Sequence, residues 1–171
     1  FEDQAHGIGV YLHTDGSRYE GLFAADKQDG KGVETWPDGA KFTGQYRKGF
    51  KHGHGVFNWA DGSSYDGQFT ENDLHGEGTY RWSGGREHQG YWEHNRMHGP
   101  GSFRWADGRM YKGQYKNDLK DGDGAFYWPD GRAYEGQWQN GVQHGLGVYT
   151  AAQGQKRRGE WAEGERVRWL A

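Results

Sequence analysis

Five histidines, His6, His52, His75, His98 and His144, recur at multiples of 23 residues, and imidazole is the commonest metal ligand. If each 23-residue unit is a pair of strands, successive histidines stand about 10 Å apart. Zinc holds its ligand nitrogens at roughly 2.0 Å, so the ladder cannot share an ion. Packing or hydrogen bonding within a connecting loop is the expected role. Only His52 and His54, completed by a second molecule, could form a site, and no metal and no cofactor is expected. Carboxylates come next. Asp15, Asp38, Asp61, Asp107 and Asp130 each precede a glycine, and a turn accounts for all of them without an acid–base pair. The H-G-x-G and D-G-x-G strings lack the G-K-[ST] and the following helix that a phosphate loop needs. No Ser-His-Asp set stands out, so the chain is not read as an enzyme.

Basic residues form three groups: Arg47, Lys48 and Lys51; Lys116 and Lys120; and Lys156, Arg157 and Arg158, with Arg166 and Arg168 nearby. Each could touch an anionic lipid headgroup, at about 1 kcal/mol per basic residue near a membrane surface. Asp118, Asp121 and Asp123 interrupt the second group, and a solvated edge is the simpler reading. Residues 1–86 carry 9 basic and 13 acidic groups, and residues 87–171 carry 12 and 11. Neither half has the basic field of a nucleic-acid binder. There is no cysteine, no signal peptide and no apolar run long enough to span a bilayer, which suits a cytoplasmic protein.

The elements that must position these residues are set by repetition. Gly7, Gly30, Gly53, Gly76, Gly99, Gly122 and Gly145 share one column at period 23; columns starting at Gly9, Gly16 and Gly21 run equally unbroken, and the four take 28 of 32 glycines. Three ring columns keep the same period: Trp36, Trp59, Trp82, Trp105 and Trp128; Phe23, Tyr46, Phe69, Trp92, Tyr115, Trp138 and Trp161; and Tyr19, Phe42, Tyr65, Tyr111 and Tyr134, broken by His88 and Arg157. A fourth contains Tyr11, Phe57, Tyr80, Phe103, Phe126 and Tyr149, broken by Glu34. Each half-unit alternates with period 2, the mark of a strand with one wet face. Trp36-Pro37-Asp38-Gly39 suits a three-residue hairpin turn with glycine in the left-handed position. Counting outward from it places Trp36 opposite Ala40, Glu34 opposite Phe42 and, one unit on, Phe57 opposite Tyr65. Lys48 to His54 reads as the loop to the next hairpin.

The fold class is therefore all-β: an elongated, single-layer antiparallel sheet of stacked hairpins, with about 14–15 strands and a length on the order of 70 Å. With 16% aromatics in a 32% hydrophobic set, the core must be thin and made of rings. Glycine in a strand is unfavourable unless something needs the space, and rings lying flat over bare backbone supply the reason.

Tyr65-Asp66-Gly67-Gln68-Phe69 followed by His75-Gly76-Glu77-Gly78-Thr79-Tyr80, and Tyr134-Glu135-Gly136-Gln137-Trp138 followed by His144-Gly145-Leu146-Gly147-Val148-Tyr149, resemble the MORN repeat (membrane occupation and recognition nexus). The resemblance covers nearly the whole chain, with Asp29 and Asp121 standing in for the histidine and Gly84 and Gln153 for the turn aspartate. It implies one array over residues 1–171 of about seven repeats. The array is entered mid-repeat at Phe1, as the C-terminal portion of a longer one, and 164–171 form a capping strand. It also implies binding of peptides, of lipid headgroups or of further copies.

Three roles are expected. The leading one is a scaffold at a cytoskeletal or membrane-proximal structure, binding protein partners through its aromatic groove: Phe23, Tyr46, Phe69, Trp92, Tyr115 and Trp138, with Trp36, Trp59, Trp82, Trp105 and Trp128. Trp161, Val167, Arg168, Trp169 and Leu170 make the C-terminal end the most apolar tip and the expected homodimer interface. The alternatives are a phosphoinositide or anionic-phospholipid module working through the basic groups, or an accessory domain of an enzyme absent from this stretch of chain.

Overall fold

The computed structural model describes residues 4–171; the entry point at Phe1 lies outside the described residues. Fifteen strands follow one another in sheet order as in sequence. They are β1 (Gly7–Leu12), β2 (Arg18–Ala24), β3 (Lys27–Thr35), β4 (Lys41–Arg47), β5 (Phe50–Asn58), β6 (Ser64–Thr70), β7 (Asp73–Arg81), β8 (Glu87–Glu93), β9 (Arg96–Arg104), β10 (Met110–Lys116), β11 (Leu119–Tyr127), β12 (Ala133–Gln139), β13 (Val142–Thr150), β14 (Lys156–Ala162) and β15 (Glu165–Trp169). The fold is an open antiparallel sheet of hairpin repeats, and no helix among the described residues is long and apolar enough to cross a membrane. The chain divides into two units, Phe1–Ser83 and Gly84–Ala171.

The turn reading fixes the register. Gly39 takes φ 93°, and the Trp36 N–H donates to the Ala40 carbonyl at 3.0 Å. Glu34 pairs with Phe42 and Phe57 with Tyr65, as counted from the sequence. The turn aspartates accept the N–H two residues on, Asp38 from Ala40 at 2.9 Å and Asp130 from Arg132 at 3.1 Å.

The opposite connection differs from the expected loop. Lys48 and Gly49 alone join β4 to β5, both at positive φ (51° and 89°), the geometry of a type I′ turn. The same two-residue turn recurs at Ala25-Asp26, Glu71-Asn72, His94-Asn95, Asn117-Asp118, Asn140-Gly141 and Glu163-Gly164. Lys51 to His54 belong to β5, whose register against β4 shifts between Gly44 and Tyr46. Gly53 absorbs that bulge at φ 73°. The first glycine column is thus kept for backbone conformation and not for a ring lying on it.

The remaining in-strand glycines carry the packing. In the first unit Gly44 faces Gly55 across two strands, and a methyl group on Gly44 would lie 2.5 Å from the Gly55 Cα. In the second unit Gly136 faces Gly147 in the same relation, again at 2.5 Å. The buried Tyr134 ring covers its pair, and its hydroxyl donates to the Gln137 carbonyl at 2.8 Å. Tyr19, Tyr65 and Tyr111 repeat that bond with Leu22, Gln68 and Gln114.

Candidate functional site

The rings form two tiers. The inner tier interlocks edge to face. In the first unit Phe42 meets Tyr46 at 5.4 Å and Phe69 at 5.2 Å, with ring planes at 86° and 87°. In the second unit Tyr134 meets Trp138 at 5.3 Å and Trp161 at 4.9 Å. Such pairs contribute about 0.5–1.5 kcal/mol beyond the area they bury. Tyr46, Phe69, Trp92, Tyr115 and Trp138 are buried in this tier, wedged between rings of their own and the neighbouring hairpin. They hold the sheet together and present almost no area, which corrects their expected place as groove contacts; Phe23 is half-buried.

The outer tier is a ladder in which the tryptophans are half-exposed, while Phe103 and Phe126 are buried. In the first unit Trp36, Phe57, Trp59, Tyr80 and Trp82 stack in succession at 5.2, 4.4, 5.2 and 4.5 Å between centroids. In the second unit Phe103, Trp105, Phe126 and Trp128 follow at 4.4, 5.3 and 4.5 Å. All five tryptophans of this column are half-buried, each with ring area turned outward.

Cations sit on this tier. The Lys51 ammonium lies 5.2–5.8 Å from the centroids of Trp36, Phe42, Tyr46 and Phe57. Lys120 lies 5.3–5.6 Å from Trp105, Tyr111, Phe126 and Trp138. Both were expected to face lipid headgroups from a solvated edge. They are instead drawn over the rings, where cation–π attraction offsets lost hydration, and burial pushes both ammonium pKa values down. Arg109 and Arg132 cover Trp105 and Trp128 while pairing with Asp107 and Asp130 at 2.7 Å. Arg47, Lys48, Lys116, Lys156, Arg157 and Arg158 are exposed.

Beneath Lys51 lies a feature the repeat pattern marked only as a gap. Glu34 replaces a ring, is buried, and accepts the Tyr46 hydroxyl at 2.7 Å. Burial, then that carboxylate, drive the Tyr46 pKa far above the phenol range. The same carboxylate acts to restore Lys51 toward its ordinary value.

In the histidine column His6 caps a turn, whereas His98 pairs with Glu93 through Nε2 at 3.3 Å and its Nδ1 is buried without a hydrogen bond. The Ala25 N–H donates to His6 Nδ1 at 3.4 Å, and Asp29 and Asp121 accept from Lys48 and Asn140 in the equivalent place. The substitution of aspartate for histidine preserves the acceptor. Among the described residues no three His, Asp or Glu side chains converge on a metal site.

At the C-terminal end Trp161 is buried and Val167 is 60% exposed. Arg168 is exposed and pairs with Glu160 at 2.7 Å. Trp169 lies between the Arg157 and Arg166 guanidinium groups, at 4.4 and 4.3 Å. Leu170 is half-buried, its N–H bound to the Arg158 carbonyl at 2.9 Å. On β1, Ile8 is 83%, Val10 54% and Leu12 70% exposed. At the other end of the chain the two guanidinium groups shield Trp169.

A profile of the MORN repeat matches residues 1–18, 19–41, 42–64, 65–85, 88–108, 111–131 and 134–156. The chain belongs to the MORN-repeat family. No curated protein sequence matches it. The MORN sheet is similar to the Drosophila melanogaster SAS-4 (dCPAP) TCP domain, solved in complex with a proline-rich motif of Ana2 (dSTIL). That likeness has TM-score 0.52 and 11% identity over 91% of this chain and 85% of the other. A second Drosophila melanogaster Sas-4 TCP10c structure gives TM-score 0.41 at 11% identity, over 93% and 96% of the two chains. The G-box domain of the microcephaly protein CPAP gives 0.43 at 18% identity, over 96% and 99%.

Proposed function

We propose that this MORN array is a non-enzymatic scaffold that binds protein partners through the outer ring ladder and homodimerises through its C-terminal end. Its place would be a cytoplasmic cytoskeletal or membrane-proximal structure. The observation that carries the reading is the ladder itself. It leaves tryptophans, packed against phenylalanine and tyrosine rings, half-exposed along each unit, although the inner tier already supplies a core. Exposed aromatic surface of this extent marks interaction sites on soluble proteins. Tryptophan and tyrosine also dominate binding hot spots. That a sheet of the same fold holds a proline-rich motif in the SAS-4 structure supports a peptide as the kind of ligand.

Affinity capture with the purified chain tests this. A partner retained by the wild type should be lost with Trp59→Ala or Trp128→Ala. It should be kept with Thr43→Ala, in the row of Glu20, Val33, Thr43 and Val56 on the other sheet face. A partner indifferent to the tryptophans and sensitive to Thr43 would overturn the assignment of the face.

The anionic-lipid reading rests on the exposed Arg47 and Lys48, which share a cleft with Lys31 and His52. Asp29 lines the same cleft and Glu71 its neighbour, which weakens the local field.

A further inference from the structure

The column holding Lys51 and Lys120 continues in the second unit to Gln143 and Arg166. Arg109, Lys120, Arg132, Arg157 and Arg166 cover rings in that unit. Arg109 and Arg132 are neutralised by turn aspartates. Among the described residues Lys120, Arg157 and Arg166 pair with no carboxylate.

Lys120 is the sharpest case. Its equivalent in the first unit, Lys51, has the Glu34 carboxylate beneath it. The position matching Glu34 in the second unit is Phe103. The charged neighbour that acts on Lys120 is Arg109, of like sign, and burial and that neighbour both disfavour the ammonium. Near Arg166 the sheet opens into a cleft of about 360 Å³ lined by Trp128, Arg132, Gln143, Tyr149, Trp161 and Trp169. Lys120, Arg157 and Arg166 give this face positive charge beside its rings with no carboxylate of the described residues in salt-bridge contact, while Asp121 and Asp123 act from further off, on Tyr111.

We propose that the aromatic face of the Gly84–Ala171 unit takes an extended acidic segment of a partner protein, one carboxylate seated against Lys120 and a second against Arg166. The inference rests on the reading of the ladder as a protein-binding face. Lys120 lies on β11 and Arg166 on β15, four strand steps or about 19 Å apart. An extended chain covers that distance in about six residues. The Lys120 ammonium is already partly dehydrated among its rings. The lysine's own share of the desolvation penalty is therefore partly met before a carboxylate arrives, and the attraction between the two is strengthened among the rings.

The test uses the whole chain and two labelled peptides. One carries glutamates about six residues apart with prolines and leucines between; the other has both glutamates replaced by glutamine. Fluorescence anisotropy should show the acidic peptide binding at least about tenfold more tightly. Lys120→Met should remove part of that difference, and Lys120→Met with Arg166→Gln should bring the acidic peptide to the level of the glutamine peptide. Met97 occupies the same column, so Lys120→Met suits the fold, and an unchanged melting temperature confirms that.

Equal binding of the two peptides, lost in Trp128→Ala, would overturn the acidic preference and leave the protein-binding face standing. No binding of either peptide would overturn the proposal. Lys120-dependent binding to phosphatidylserine vesicles, with no binding of either peptide, would overturn the protein-binding reading as well.

Discussion

His88 shows what one residue does to a thin core. It stands where other repeats have tyrosine or phenylalanine, is fully buried, and has neither ring nitrogen hydrogen-bonded. Burial depresses its pKa from 6.5 to about 4. The unfolded chain takes up a proton below about pH 6.5 and the folded chain does not, so the neutral ring's contribution is complete above that pH. It is lost as the pH falls from 6.5 to 4, by about 3 kcal/mol. His88→Tyr, which restores the ring of Tyr65 and Tyr111, should raise stability and remove most of that slope. Denaturant melts at pH 4.5 and 7.5 check it; equal pH sensitivity of the two proteins would contradict the assignment. Trp105→Ala, cutting into the outer tier beneath Lys120 and Arg109, should lower stability by about 2–4 kcal/mol. A thermal melt reads that loss.

At the scale of the element, hairpins are specified unevenly. Pro37-Asp38-Gly39 announces its turn chemically, and alternation carries the register outward, so Glu34 opposite Phe42 and Phe57 opposite Tyr65 follow from counting. The two-residue turns signal themselves unevenly: Asn140-Gly141 is a strong type I′ dipeptide, whereas Ala25-Asp26 carries little mark of its turn. Their residues range from Ala25-Asp26 to Asn140-Gly141, and bonds from the His6, Asp29 and Asp121 column tie down three of them. Alanine at φ 48° is unfavourable, so Ala25→Asn should stabilise by about 0.5–1 kcal/mol, read as a higher melting temperature. The division of the rings into a buried and a half-exposed tier was also hidden, because both columns share parity and type. Only the edge-to-face wedging of Tyr46 or Trp138 between neighbouring hairpins separates them. Lys51 and Lys120 read as solvated for the same reason: a lysine over four rings has the sequence signature of one in water.

For the molecule, the repeat explains the sheet and motivates its proposed use. Each hairpin covers glycine pairs with its inner rings and leaves the tryptophans of the outer tier half-exposed, the face proposed to take a partner. Dimerisation is proposed through the C-terminal end, where Val167 is exposed. Deleting 164–171 should convert dimer to monomer in light scattering. If dimers persist and Ile8→Lys with Val10→Lys abolishes them, β1 is the interface instead.

The premise under all of this is that rings seat on glycine backbone too close for any side chain. Thermal unfolding of Gly136→Ala beside Gly84→Ala tests it most directly. The first methyl meets the Gly147 Cα at 2.5 Å, while the second meets nothing within 4 Å. Gly136→Ala should lose about 3 kcal/mol, a fall of roughly 6–12 °C, with Gly84→Ala close to wild type. Similar melting temperatures for the two variants would contradict the account.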